Sequence, residues 1–300
     1  MSVPERGRVR TVPTMHDRDS ATLDPAPRRQ LLWIGPTSTV ELRLARRWAG
    51  ELADIIEMAT PAEAIHSTPP FFLDRSPAAV LLASATPAQW TLADCVMLSR
   101  RWPLAPLVSV AAPLAEGRRR SGPPLPGVEE VPWSDLPGRL AWWLLDCHRG
   151  RPGGLGIPTT ARRDERLLEA ADRVAEFATW RGCRVSVAAS RAIDVEGVTD
   201  MLAAAGRTVV RRTCGRPALD EPADVLVWDL AAVSATDLTW LGMLAANRPS
   251  LAIILFDSFP RGDSVLAALR AGARAVLARP VSLEALTGVL LGLEQSAAGA

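Results

Sequence analysis

The chain has 300 residues, with 34 basic and 33 acidic side chains, a formal net charge of +1, 48% hydrophobic and 22% charged residues. Such a length and balance suit two globular domains, each with its own core. The near-zero charge offers no electrostatic footing for nucleic acid or an anionic membrane.

Every Lys/Arg position is Arg, and Lys and Tyr are absent, so chemistry that needs a lysine amine is excluded. The four cysteines (Cys95, Cys147, Cys183, Cys214) and three histidines (His16, His66, His148) are scattered, with no C-x-x-C pair. No zinc or haem site can be drawn from them, and the thiols read as free in a reducing compartment. Residues 1–29 carry Pro, Arg and Asp without an apolar run, which predicts a disordered tail and no signal peptide. No apolar stretch approaches the ~20 residues needed to span a bilayer. A cytoplasmic protein without membrane contact is expected.

Leu31-Leu32-Trp33-Ile34 ends at Gly35-Pro36 and reads as a buried strand, followed by a helix with Val40, Leu44 and Trp48 on one stripe. Ile55-Ile56, Ala79 to Leu82 and Leu107 to Val110 read as further strands, with a helix from Trp90 to Arg101. The stretch from Glu116 to Pro124 is a loop, Val128 to Val131 a fifth strand, and Leu140, Trp143, Leu144 and Cys147 mark a closing helix. Of the adjacent Trp142 and Trp143, one ring is expected inward and the other free as a contact residue or, more commonly, covering the connecting helix. Arg149 to Pro158 holds four Gly and two Pro and reads as a linker, with a connecting helix over Ala161–Arg181 stopped by Gly182.

The second half opens with strand Arg184 to Val187, then a helix carrying Val195, Val198, Leu202 and Ala205, with Asp194 as its expected N-cap. Strands follow at Thr208–Val210, Asp224–Asp229, Leu251–Phe256 and Ala275–Ala278. Ser234 and Asp237 open one intervening helix in the S-x-x-D manner, Asp263 opens a second, and Ser282 opens the last. Apolar runs of strand length alternating with helical stripes predict a parallel sheet covered on both faces. Five such units in about 115 residues predict a flavodoxin-like doubly wound domain.

Pro77 to Ser84 can be laid over Pro222 to Asp229, and Pro103 to Val108 over Pro249 to Ile254, which predicts an internal duplication. The expected fold is therefore α/β, with two flavodoxin-like doubly wound parallel-sheet domains joined by a linker and helix. The expected boundaries are a tail at 1–29, a first domain at 30–148, a connecting segment at 149–181 and a second domain at 182–296.

Three local patterns in the second half resemble the receiver domain of bacterial two-component response regulators. Asp224-Val225-Leu226-Val227-Trp228-Asp229-Leu230 is similar to the family's third strand, which ends in the phosphoacceptor aspartate. Ala268-Leu269-Arg270-Ala271-Gly272-Ala273 is similar to its A-L-x-x-G-A pattern, and Ala278-Arg279-Pro280-Val281 stands where the family has Lys-Pro. The resemblance covers about Gly182 to Glu294 in this order; the first half shows the outline without the marker residues.

The resemblance implies phosphoryl transfer to a carboxylate, which needs Mg²⁺ and cationic positioning of the phosphate. Asp229 is the implied phosphoacceptor. The family's acidic pair at the end of the first strand is replaced by Val187-Ala188-Ala189-Ser190, so Mg²⁺ lacks its ligands. Asp257, followed by Ser258, stands where the family has a hydroxyl, and Arg279, before Pro280, replaces the lysine. A planar Arg fork is not equivalent to a compact ammonium. Arg279 bridging Asp229 and Asp257 would hold the pocket in one state without metal or phosphate. In the first half Ser84, Ala111 and Ser134 take the places of Asp229, Asp257 and Arg279.

The expected function is that of a non-catalytic signalling or scaffold protein with a pseudo-receiver pocket, acting through protein contacts and needing no cofactor. Candidate partners are a histidine kinase or another signalling protein, and a homodimer through the face that includes Leu290 and Leu293. One alternative is a phosphorylatable receiver that uses Asp229 and Mg²⁺. Another is a nucleotide-binding α/β enzyme, although neither G-x-G-x-x-G nor G-x-x-x-x-G-K-[ST] is present. No G-x-S-x-G and no triad can be drawn, and the absence of a helix-turn-helix pattern argues against DNA binding.

Overall fold

The computed structural model describes residues 28–66, 76–116, 125–148 and 183–298, together with Glu165, Leu168, Glu169, Ala171 and Asp172. The tail up to residue 27, the linker at 149–158 and most of the helix expected over 161–181 lie outside the described residues.

The first half runs β1 (Gln30–Ile34), α1 (Val40–Leu52), β2 (Asp54–Met58), α2 (Pro61–His66), β3 (Ala79–Ser84), α3 (Leu92–Arg101), β4 (Leu107–Ala111), a single turn α4 (Pro113–Glu116), β5 (Val128–Pro132) and α5 (Leu136–His148). The second runs β6 (Arg184–Ala189), α6 (Ala192–Ala204), β7 (Thr208–Cys214), β8 (Val225–Asp229), α7 (Ala235–Asn247), β9 (Ala252–Asp257), α8 (Gly262–Arg270), β10 (Ala273–Ala278) and α9 (Leu283–Ala298). Each half builds a five-stranded parallel sheet, in the orders β2-β1-β3-β4-β5 and β7-β6-β8-β9-β10. Both are the flavodoxin-like 2-1-3-4-5 order, in which the crevice for ligands lies beyond the carboxyl ends of the strands, where the order reverses.

Local chemistry explains several boundaries. Ser234 and Thr91 close reciprocal capping boxes with Asp237 and Asp94, starting α7 and α3. The latter places the start of α3 at Leu92, two residues after Trp90. The N-cap of α6 is Arg191, without a side-chain cap bond, and Asp194 sits in the first turn. The expectation of an Asp194 cap is thereby corrected: its carboxylate is drawn to two guanidinium groups instead. Edge strand β7 runs four residues further than the apolar run, since an edge strand exposed on alternate positions tolerates Arg211 and Arg212.

Each sheet buries both faces. Leu32, Ile34, Val80 and Leu82 pack under α2 and α3, while Val185, Val187, Val227 and Ile254 pack under α6 and α9. The remaining faces share one continuous core, which joins Trp33, Leu81 and Trp133 of the first half to Trp228, Leu241 and Leu255 of the second. Helix α5 is covered on two sides, by α1 and by α9. Trp142 and Trp143 are therefore both buried, and neither ring is free. Leu290 is also fully buried, packed on the sheet of its own half, and the contact of α9 with α5 covers part of the face expected to pair two copies. Among the described residues no helix is long and apolar enough to cross a membrane.

Helices α5 and α9 cross at Gly138 and Gly288 with their backbones in contact. A Cβ on either would overlap the other helix's main chain, whereas one on Gly292 would meet nothing within 4 Å. Gly138→Ala is expected to lower stability in urea unfolding by about 1–3 kcal/mol, the usual cost of overpacking. Gly292→Ala should leave it unchanged or raise it by up to ~1 kcal/mol through helix propensity. Equal effects of the two substitutions would contradict this crossing geometry.

Candidate functional site

The sheet of the second half brings Asp229 to the carboxyl end of its central strand, paired in register with Ala189 on β6 and Phe256 on β9. Asp229 is only 3% exposed, and its Oδ1 accepts no hydrogen bond. The nearest charge is Arg279, just after β10, whose Nη1 lies 3.4 Å from that oxygen. The other guanidinium nitrogen, Nη2, donates to Asp194 Oδ1 at 3.1 Å. Arg191 clamps the same carboxylate from outside, Nε to Oδ2 at 2.7 Å and Nη2 to Oδ1 at 2.8 Å. Two carboxylates and two guanidinium groups thus form a formally neutral cluster.

Asp257 does not join it through its side chain. Its Oδ1 accepts the Phe259 N–H at 3.0 Å, closing the turn after β9, while its backbone carbonyl accepts the Arg279 N–H at 2.9 Å. The bridge expected from Arg279 to Asp257 is therefore made to Asp194. A carboxylate two residues before a free backbone donor satisfies it locally, which removes Asp257 from competition for the guanidinium. Ser258 and Pro280 lie exposed at the rim, the latter after a cis bond to Arg279. Arg191 was missed as a pocket residue, and Asp194 was read as a helix cap in preference to a pocket ligand. Their R-x-x-D spacing directly after the opening strand was the available signal.

Burial pushes the Asp229 carboxyl up to about 6, with Asp194 acting in the same direction and Arg279 and Arg191 opposing. Desolvation outweighs the contact with Arg279 because that guanidinium is shared with a second carboxylate. The Asp194 carboxyl is held below its ordinary value, chiefly by the hydrogen bonds from Arg191.

The residues do not fit Mg²⁺. This ion wants several oxygen ligands in near-octahedral array. The strand beside Asp229 offers Ala188 and Ala189, and the nearest other carboxylate, Asp194, already faces two cations. Among the described residues no three His, Cys, Asp or Glu side chains gather as metal ligands would.

The corresponding crevice of the first half is filled. Trp90 donates its indole N–H to the Ala83 carbonyl at 3.1 Å and lies against Gly35, whose positive φ and missing Cβ make room for the ring. Ser84, at the position of Asp229, shares a 2.9 Å hydrogen bond with Ser109. Since Ser84 pairs with Ala111 and Asp229 with Phe256, the register puts Ala112, rather than Ala111, at the place of Asp257. The same count puts Ser134 at the place of Arg279.

No family model matches the chain, and no curated protein matches it. Solved structures do. A protein described as pilus assembly-related from Burkholderia pseudomallei is 28% identical over 38% of this chain and 89% of its own, with a TM-score of 0.35. A pilus assembly protein (cpaE) from Burkholderia thailandensis is 28% identical over 37% of this chain and 98% of its own, also at 0.35. The isolated receiver domain of RcsB from Salmonella enterica is 20% identical over 38% of this chain and 90% of its own, at 0.34. The receiver-like fold itself rests on the strand order and parallel registers of both sheets.

Because Asp229 holds its proton more tightly folded than unfolded, its ionisation opposes folding. That penalty is absent below about pH 4 and complete above about pH 6. Asp229→Asn is accordingly expected to stabilise the protein at pH 7.5, on the order of 1–3 kcal/mol, and to change little at pH 4. Thermal unfolding at the two pH values measures this. Destabilisation at pH 7.5 would mean that the Arg279 contact outweighs burial.

Proposed function

We propose that the chain is a non-catalytic signalling or scaffold protein of the response-regulator type, in which the pocket around Asp229 is a pseudo-receiver site that acts through protein contacts. The observation that supports this most is the position of Arg279. A cation that would steady an incoming phosphoryl group is already committed between Asp229 and Asp194. Phosphoryl transfer to Asp229 would have to break that arrangement and compensate one further net negative charge, since the aspartyl phosphate is a dianion where the carboxylate carried one charge. The site offers no hydroxyl at the Asp257 position and no ligand set for a divalent cation.

The partner of such a module would be a protein, a histidine kinase or another signalling protein, bound by surface recognition without phosphate exchange.

The second reading, a phosphorylatable receiver, draws on one feature: Asp229 stands at the end of the central strand with one oxygen free of hydrogen bonds. Incubation with acetyl phosphate and Mg²⁺, followed by intact-mass measurement, separates the two. The pseudo-receiver reading predicts an unchanged mass. A single phosphate adduct that disappears in Asp229→Asn would replace it with the phosphorylatable one.

A further inference from the structure

We propose that Asp135, which ties the first half to the end of β10, is the positioning residue that transmits the state of the joint between the two halves to Arg279. This deepens the pseudo-receiver reading and rests on it for its meaning.

The joint is held at four places. The Asp135 carboxylate, 4% exposed at the entry to α5, accepts the Ala278 backbone N–H at 3.0 Å. Arg139, one turn later, bridges Glu129 on its own half and Glu284 on α9. Glu41 on α1 accepts the Gly262 N–H at 3.0 Å, at the start of α8. The Gly138–Gly288 crossing brings the two backbones together without slack.

Asp135 is the informative member. Strand β10 is an edge strand, and the Ala278 N–H at its end, once buried, needs an acceptor. A charged acceptor gives the stronger bond, at the cost of taking a carboxylate out of water. The Ser134 hydroxyl, which donates to the same oxygen at 3.3 Å, offsets part of that cost.

The next residue is Arg279, whose own N–H is fixed to the Asp257 carbonyl. Two successive backbone donors are thus tied in different directions, Ala278 to the first half and Arg279 to the second. Together they set the direction in which the Arg279 side chain leaves the chain toward Asp229 and Asp194. Releasing the first tie frees the Leu277–Ala278 peptide and leaves the next one, which aims the guanidinium, held on one side alone. By reciprocity, pulling Arg279 from Asp229 weakens the joint between the halves.

The test uses the full chain with Asp135→Ala and Asp135→Asn and two nuclear magnetic resonance readouts: amide exchange at Ala278 and the carboxyl titration of Asp229. In Asp135→Ala, exchange at Ala278 should quicken by about tenfold, the effect of one hydrogen bond, and the Asp229 midpoint should rise as Arg279 loosens. In Asp135→Asn, which keeps an acceptor oxygen and is the milder change, both signals should move in the same directions by less. Faster exchange without any shift at Asp229 in either variant would overturn the proposal, as would the absence of both effects. A phosphate adduct on the unaltered chain would instead sink the pseudo-receiver reading while leaving this coupling measurable.

Discussion

The guanidinium of Arg279 reaches Asp229 with one nitrogen and Asp194 with another, and the behaviour of the pocket follows from that sharing. Divided between two carboxylates, the cation neither lowers the Asp229 carboxyl to its ordinary range nor remains available to an anion from outside. Arg191 completes the charge balance from the solvent side. The cluster is neutral without metal, so a divalent cation or a phosphoryl dianion would each enter a site that lacks the opposite charge to receive it.

The fold supplies this arrangement through register. Parallel strands in the order 2-1-3-4-5 bring the ends of β6, β8, β9 and β10 to one crevice, where Arg191 before α6, Asp194 in its first turn and Arg279 just after β10 come within reach of Asp229 at the end of β8. The same geometry in the first half leads to a filled crevice, where Trp90 packs on Gly35 and two serines satisfy each other. One half therefore retains a polar pocket while the other provides a surface that clasps its neighbour, and the clasp ends one residue short of Arg279.

The alternation of apolar runs and helical stripes was enough to read the sheet class, because strands buried on both faces, such as Leu31 to Ile34 and Ile253 to Phe256, leave little doubt about period. The capping box at Ser234 and Asp237 was legible for the same local reason. The pocket was legible in part. Asp229 and Arg279 lie at strand ends whose neighbours could be counted, but the choice of Asp194 over Asp257 as the second partner depends on a turn in which Phe259 takes the Asp257 carboxylate. Periodicity does not encode such a turn. The burial of both Trp142 and Trp143 was hidden because α5 is covered by α9, more than a hundred residues later. Register errors of a single residue, as between Ala111 and Ala112, arise because strand pairing is set by partners rather than by the strand itself.

The charge around Asp229 is already balanced and leaves no place for a divalent cation. Magnesium titration followed at the Asp229 carboxyl and the Ala189 and Ser190 amides by nuclear magnetic resonance tests this most directly. With the cluster neutral, only small, non-saturating shifts are expected across the millimolar range. A saturable response at these three residues, abolished by Asp229→Asn, would contradict it.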